Sequence, residues 1–405
     1  MAFLVRPAVL RSSFQPPTGP SPVLRARVHG GGPSGALAAL ALANAGWTVT
    51  LVDPLAPAQL CQRSRAYAFN HSSSRLLADL SLWDALQTVL VPFRHLQLAD
   101  LGWPRGWRHR LHVQAGTSQP VGWIAQHQPL MAVLLDHLQA HPRITCHFGE
   151  ALSAQQGRDE ATADLVVAAD GPHSPTRTSL AVPVLHHPYR QACLTVQVRL
   201  RGSGDDEAWE LLRPEGPLAL LPLGDGCFQV VWSAPESRCR HLESLDDAAF
   251  LDALAAVLPE RFQPEALIDH PRAFPVALQQ ALRLHRGRTV LVGESAHRCH
   301  PVGGQGLNLC WRDVQTLHNQ ACRVASGKLQ AAQLGGAYAM RRWPDLIATL
   351  LATHLLVLMF SNRQPLLVAL RRQGLALLRR LPPLGGLVLR LMTRRQGRLQ
   401  LLAPW

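Results

Sequence analysis

The sequence predicts an α/β chain, α+β taken whole, in which a Rossmann-like parallel sheet is interrupted by an antiparallel insert and followed by a helical tail. Three observations carry this. The stretch VHGGGPSGALAALALANAGWTVTLVD, from Val28 to Asp53, reads as strand, glycine turn, helix and strand. From Cys193 to Leu200 the apolar period falls to two. After Asp345 no acidic residue remains, and leucines interleave with arginines over Pro365 to Arg398.

The totals bound the classes. A chain of 405 residues can bury a large core and is expected to hold two domains. An apolar content of 47% against 17% charged residues excludes a disordered protein. The net charge of +13 favours anionic partners. No zinc-ligand spacing, aromatic RNA-binding signature or lysine-rich run accompanies that charge, so nucleic acid is not an expected partner. The eight cysteines form no C-x-x-C pair, which fits reduced thiols and a cytoplasmic protein. His297-Arg298-Cys299-His300 lacks the remainder of a ligand set, so no metal is expected. Residues 1–23 lack a long apolar segment and read as a disordered extension. The longest apolar run, Leu346 to Phe360, has 15 residues with His354 inside it. That is short for a membrane span and reads as a buried helix.

Each element follows in order. In the first strand Arg25, Arg27 and His29 alternate with Leu24, Ala26 and Val28, a half-exposed pattern where a central parallel strand should be buried. Gly30, Gly32 and Gly35 then satisfy G-x-G-x-x-G around Pro33 and Ser34. The first glycine allows the tight turn, the second lets a pyrophosphate approach the backbone, and the third lets helix pack on strand. The helix N-terminus faces the phosphates with its partial positive charge. Asp53 ends the second strand, 18 residues beyond Gly35, where an acid accepts hydrogen bonds from a ribose. A helical stretch is expected over Ser72–Leu90, and Gly122–Ala125 leads into another over Pro129–Ala140. ADLVVAADGPHSPTR is an apolar strand ending in a tight Asp170-Gly171 turn, under the positive field of Arg177. The period-two run from Cys193 predicts a sheet with one face buried and one exposed. A hairpin of the same sheet turns at Gly224-Asp225-Gly226, and Asp246–Leu258 is helical.

VLVGESAHRCHPVGGQGLNLCWRD, from Val290 to Asp313, passes from buried strand to helix opening through one acid, Glu294, and three glycines. Beyond it the chain reads as helical to the end, broken at Pro382-Pro383 and Gly385-Gly386. The nucleotide-binding domain is therefore expected over 24–75, 121–182 and 286–345, and the substrate domain over 76–120 and 183–285. Residues 346–405 form a basic helical region. Leucine and arginine interleaved on a helix suit an anionic membrane surface, so the protein is expected in the cytoplasm or peripheral on the membrane.

Several of these segments together resemble the flavoprotein aromatic hydroxylases of the ubiquinone-biosynthesis group, within the para-hydroxybenzoate hydroxylase-like family. They are GGGPSG, SRAYAF around Arg65, GWIAQHQPL, ADLVVAADGPHSPTR, EGPLALLPLGDG, RTVLVGESAHRCHPVGGQGLNLCWRDVQTL, YAMRRWPD and LMFSNRQPLLVALRRQGL. The resemblance covers residues 24–395. It implies a bound FAD with its ADP half on Gly30, Gly32, Pro33, Ser34, Gly35 and Asp53. It further implies Arg65 and His127 near the cofactor, and Asp170 and Gly171 in the aspartate-glycine motif. Glu294 would bond the ribityl chain, and Pro301, Gly303, Gly304, Gln305, Gly306, Leu307 and Asn308 would lie beneath the isoalloxazine ring. Backbone N–H groups and a helix N-terminus there would stabilise negative charge on a reduced flavin.

The implied chemistry is reduction of FAD by NADPH or NADH, reaction with dioxygen to a flavin hydroperoxide, and oxygen transfer to a hydrophobic phenolic substrate. No catalytic base is named by the motifs. His297, His300 and Tyr189 are polar candidates that read better as structural. The chain departs from the family where Glu294 replaces aspartate, Ser295 stands where alanine is common, Cys310 replaces a glycine with Trp311 beside it, and Gln126-His127 replaces an acid–amide pair. Alternatives are a flavoprotein reductase on the same scaffold, a halogenase relative (whose tryptophan-rich halide motif is missing), and a non-catalytic FAD-binding assembly partner at the membrane.

Overall fold

The computed structural model describes residues 23–101, 109–114, 120–149, 162–380 and 398–402. Residues 1–22 of the extension expected over 1–23, and the breaks at Pro382-Pro383 and Gly385-Gly386, lie outside the described residues. The chain begins with β1 (Arg25–His29), α1 (Pro33–Asn44) and β2 (Thr48–Asp53). There follow α2 (Pro57–Cys61), β3 (Ala66–Phe69), α3 (His71–Asp79), α4 (Trp83–Gln87), β4 (Leu90–Phe93), β5 (His95–Asp100) and β6 (His109–Gln114). β7 (Gly122–Gln126) runs into α5 (His127–Ala140), then β8 (Ile144–Phe148) and β9 (Leu165–Ala168). Next come α6 (Pro175–Ser179), β10 (Val184–Arg201), β11 (Glu207–Leu212), β12 (Leu218–Gly224) and β13 (Cys227–Pro235). α7 (Glu236–Glu243), α8 (Asp247–Ala255), β14 (Gln263–Leu267) and β15 (Arg272–Ala281) are followed by three short strands, β16 (His285–Arg286), β17 (Thr289–Leu291) and β18 (His297–Arg298). The described chain closes with α9 (Gln305–Ala325), α10 (Leu334–Phe360), α11 (Pro365–Arg380) and β19 (Arg398–Leu402).

Two large sheets organise these elements. The first has the order β16-β17-β9-β1-β2-β8, parallel except for β16. β1 sits at its centre, so the half-exposed reading of this strand is wrong. Arg27 and His29 are 5% and 2% exposed, and His29 Nδ1 lies 2.9 Å from Thr176 Oγ1 of α6. Polar side chains in β1 are covered by neighbouring elements, which strand periodicity alone does not register. α1, α5, α9 and α10 contribute to the apolar core that includes this sheet.

The second sheet follows the order β18-β15-β10-β13-β12-β11-β5-β6-β19, with β14 on β10. It is antiparallel apart from the β11–β5 pair. The hairpin turns where expected, at Asp225 and Gly226 with φ of 53° and 69°. Trp209, Leu220, Val230 and Trp232 pack with Cys239, Leu242, Phe250 and Leu254 of α7 and α8. The opposite face is not solvated as the period-two pattern predicted. Cys193, Thr195 and Glu210 on it are buried, and the cavity described below lies against them. A third sheet, β3-β7-β4, completes the fold.

Other expectations are corrected. The helix expected over Ser72–Leu90 is two helices, α3 and α4, separated at Ser81, whose φ of 58° breaks the turn. The C-terminal region is not helical to its end, because Arg398–Leu402 pairs as a strand with β6. Leu346–Phe360 is not a buried helix. Leu346, Leu350, Thr353 and Val357 are buried, while Ile347, Leu351, Leu355 and Leu358 are 47–58% exposed.

Candidate active site

A cavity of about 650 Å³ lies between the N-terminal ends of α1 and α9, the β3 segment and the inner face of the antiparallel sheet. Gly30 and Gly35 build its first corner. A Cβ on Gly30 would stand 2.4 Å from Ala169 O, and one on Gly35 only 1.9 Å from Gly30 O. These two glycines are therefore required by packing. Gly32 is different. It caps α1 and lines the cavity, and a Cβ there would meet no protein atom within 4 Å. Gly306, in the first turn of α9, has the same property. The missing side chains at these two positions leave room at two helix N-termini, where free N–H groups and the helix dipole favour an anion. Pro33 and Ser34 also line this wall.

Asp53 is buried at the end of β2. Its carboxylate accepts from Gly31 N at 2.6 Å and Leu55 N at 2.8 Å, and so holds the glycine turn in place while still lining the cavity. Asp170 accepts from Ser174 Oγ and from Thr176 N (3.0 Å), which fixes the Asp170-Gly171 turn against α6. Arg177 donates to Ser295 O at 2.8 Å and, next to that turn, to Pro172 O at 2.9 Å. Burial lowers its affinity for a proton, and the Asp170 carboxylate acts in the opposite sense. Arg65 lines the cavity with its guanidinium 4.7 Å above the Phe274 ring.

The second glycine turn is held by side chains around it. Gly303 and Gly304 have φ of 69° and 61°, left-handed values that glycine adopts without the steric cost of a Cβ. Asn308 donates to Ala68 O at 2.7 Å and Gly304 O at 2.8 Å, and accepts from Asn70 N and Ser73 Oγ at 3.0 and 2.7 Å. It ties the turn to β3 and α3. Gln305 donates to Gly303 O at 3.0 Å. Pro301, Leu307 and Glu294 complete this wall. Behind it a buried ion cluster sets the position of Gly293. Asp313 accepts from Gly293 N at 2.8 Å, from Arg342 Nε at 2.7 Å and lies 2.7 Å from His297 Nε2. Burial alone would raise the Asp313 carboxyl, but His297, Arg342 and these hydrogen bonds hold it below its ordinary value. Cys310 is buried beside Ser34, and Trp311 packs its ring 4.5 Å from Phe69 in the core.

Every residue expected at the site lines this cavity except Gly35, which lies behind Gly30, and His127. His127 is 1% exposed and stands one layer back, with Nδ1 2.8 Å from Tyr67 Oη and Nε2 2.7 Å from Leu60 O. It begins α5, and the strand β7 that delivers it pairs with β3, so Tyr67 comes between it and the cavity. Burial lowers the His127 pKa and pushes the Tyr67 phenol up to about 12. The three polar candidates also stand off the cavity wall. His297 serves the ion cluster, and His300 accepts from Val302 N (3.2 Å) and meets Gln191 Oε1 (3.1 Å). Burial pushes His300 down to about 3, so it is neutral. Tyr189 meets His354 at 3.0 Å, and burial pushes its phenol up to about 12. Sequence reasoning missed Glu210, a buried carboxylate on the cavity wall. The signal available was an acid inside the apolar run AWELL.

Two glycine turns, each opening a helix into one cavity, define a dinucleotide-binding flavoprotein fold with a second sheet closing over it. Residues 24–344 match the FAD binding domain family. The chain is 31% identical over 370 residues to the 3-demethoxyubiquinol 3-hydroxylase of Escherichia coli, covering 86% of this chain and 93% of that one. It is 30% identical over 394 residues to the ubiquinone hydroxylase UbiL of Rhodospirillum rubrum, covering 90% and 88%. Among solved structures, the p-nitrophenol 4-monooxygenase PnpA of Pseudomonas putida superposes with a TM-score of 0.70 at 18% identity, over 92% of this chain and 96% of that one. PqsL of Pseudomonas aeruginosa, a probable FAD-dependent monooxygenase by its description, gives 0.69 at 18% identity, over 84% and 97%. The chain belongs to the FAD binding domain family of flavoprotein monooxygenases, in the group that holds the ubiquinone hydroxylases.

Proposed function

We propose that this monooxygenase hydroxylates a hydrophobic, prenylated phenolic ring in quinone biosynthesis, with NADPH or NADH as electron donor and dioxygen as oxygen donor. The observation that carries this is the two-sided character of one cavity. One side is the pair of glycine turns at helix N-termini. The other is apolar, with Leu96, Leu98, Ala219, Leu221 and Val231 from three strands of the antiparallel sheet.

Bound FAD supplies the activation of dioxygen that no side chain can perform. The chain's own residues bind, orient and exclude water. Gly32 and the N-terminus of α1 would take the pyrophosphate, with Asp53 stabilising the turn and reaching the ribose. Arg65, Asp170, Gly171 and Glu294 would border the middle of the cofactor, and Gly303 to Asn308 its ring. The apolar sheet face would hold the substrate ring in a dry environment, which protects the reactive oxygen from water.

A prenylated phenol partitions into bilayers, and the surface of α10 fits that source. Ile347, Leu351, Leu355 and Leu358 repeat at helical spacing on its exposed face, joined by Leu366 and Leu370 of α11. Arg341 and Arg363 are exposed at either end of this stripe. Residues 331–360 are long and apolar enough to cross a membrane by length and composition. The buried face of α10, anchored by Arg342 and Val357, favours lying on an anionic membrane surface instead. Val357 packs with Val302 of the second glycine turn, so the docking surface backs directly onto the site.

The reading is tested by anaerobic flavin reduction with NADPH and with NADH, in the presence and absence of alkylated phenols. A phenol that accelerates reduction is the expected result. Reduction that is fast without any phenol and unaffected by each one favours a reductase instead.

A further inference from the structure

Four carboxylates line the cavity: Asp53, Asp170, Glu210 and Glu294. Asp53 and Asp170 are occupied by the backbone turns they hold, and Glu294 lies on the loop next to the second glycine turn. Glu210 alone projects from the antiparallel sheet. It sits in mid-strand on β11, with Leu98 of β5 and Ala219 of β12 as its register partners. It is 7% exposed, and among the described residues it accepts a long hydrogen bond from Gly303 N, at 3.4 Å. A carboxylate among apolar neighbours with so weak a partner is costly unless something else uses it. Its position is where the substrate side of the cavity meets the turn expected beneath the flavin ring.

We propose that Glu210 is the acid–base residue of the ring site, accepting the phenolic proton of the substrate and returning it to the same oxygen after hydroxylation. The inference rests on the phenol reading given above. In the forward step the substrate O–H bond breaks, its electron pair stays on oxygen, and an O–H bond forms on the Glu210 carboxylate. The ring gains electron density and becomes a better nucleophile towards an electrophilic oxygen. The hydroxylated ring carbon then loses its C–H proton to solvent, its electron pair restores aromaticity, and the Glu210 proton returns to the ring oxygen, so the residue ends as it began, having gained or lost no electrons. Burial raises the Glu210 acid to about 7, against the opposing pull of the Gly303 N–H, so both forms are populated near neutral pH. The strands beside it present only Leu98 and Ala219 at this level. Cys193 of β10 is within electrostatic range, and Arg63, Arg65, Arg298 and Glu294 are the other charged groups of the wall besides the two turn aspartates.

The experiment uses FAD-loaded protein and two probes, para-heptylphenol and its methyl ether, with binding followed by the change in flavin absorbance from pH 5.5 to 8.5. The phenol itself does not ionise in this range, its acid being near that of tyrosine at about 10. A charge-assisted hydrogen bond forms only once Glu210 is ionised, so phenol affinity should rise about five- to tenfold as pH passes through 7. The ether, which has no proton to give, should show a flat profile. Glu210→Gln should flatten the phenol profile and lower kcat about a hundredfold, a loss well beyond the five- to tenfold rise in KM expected above pH 7, and Glu210→Asp should restore part of both. Phenol and ether with equally flat profiles in the wild-type protein overturn the proposal, whether or not the variants fold. So does a Glu210→Gln protein that keeps the wild-type pH profile. If neither probe binds at any pH, the phenol reading itself fails, and the assignment of Glu210 fails with it.

Discussion

At the scale of single residues, the two glycine turns separate packing from ligand binding. Gly35→Ala places a methyl group against Gly30 O, so it should destabilise the fold by about 1–3 kcal/mol, visible in urea unfolding. Gly32→Ala adds a Cβ that meets no protein atom within 4 Å and should leave apoprotein stability within about 0.5 kcal/mol. It should nevertheless lower FAD retention at least tenfold, read from flavin absorbance per protein. Equal loss of stability in both variants would contradict this division. The Asp313 cluster gives a second prediction. Its folded pKa lies below the unfolded value of about 3.9, so its contribution is complete above that value and is lost as pH falls through the folded one. Asp313→Ala leaves Arg342 buried without its partner carboxylate and should cost about 3–5 kcal/mol at pH 7. Its unfolding free energy should also fall less steeply than the wild type's between pH 4 and pH 2 in acid titrations.

At the scale of elements, α10 does two tasks with two faces. Its inner face closes over the second glycine turn, and its outer face presents leucines. The tail's positive charge is less available than its composition implies, because Arg371 is buried and pairs with Asp100 at 3.1 Å. Apolar contact should therefore carry much of the membrane affinity. Burying one leucine is worth about 1.5–3 kcal/mol, so Leu351→Asp with Leu355→Asp should reduce co-sedimentation with phosphatidylglycerol vesicles well over tenfold. FAD content should be unchanged. Wild-type protein that stays in the supernatant at low salt would remove the docking proposal altogether.

At the scale of the whole molecule, the cavity lies where the parallel sheet, the three-stranded sheet and the antiparallel sheet converge. A ligand spanning that seam binds only when all are folded together. FAD at a hundredfold excess over its Kd should therefore stabilise the protein by about 2.7 kcal/mol. Removing FAD should lower Tm by a few degrees in calorimetry, and in the apoprotein the two apolar cores should melt in less cooperative fashion. An apoprotein with the same Tm and a single sharp transition would show that the cavity does not couple them.

Much of this was legible in the chain itself. The G-x-G-x-x-G turn with Asp53, the period-two strands and the PVGGQG turn are local patterns, set by backbone sterics and side-chain alternation within a few residues. They identified the nucleotide fold, the insert and the glycine-turn side of the cavity, but not its apolar side. Only the tertiary structure decided burial and reach. It covered Arg27 and His29 by placing β1 at the centre of its sheet, and it set Tyr67 between His127 and the cavity. It also split α10 into an inner and an outer face and brought Glu210 to Gly303 across 93 residues of chain. A sequence carries the alternation of faces along each strand or helix, but what lies against a face is fixed by contacts distant in the chain.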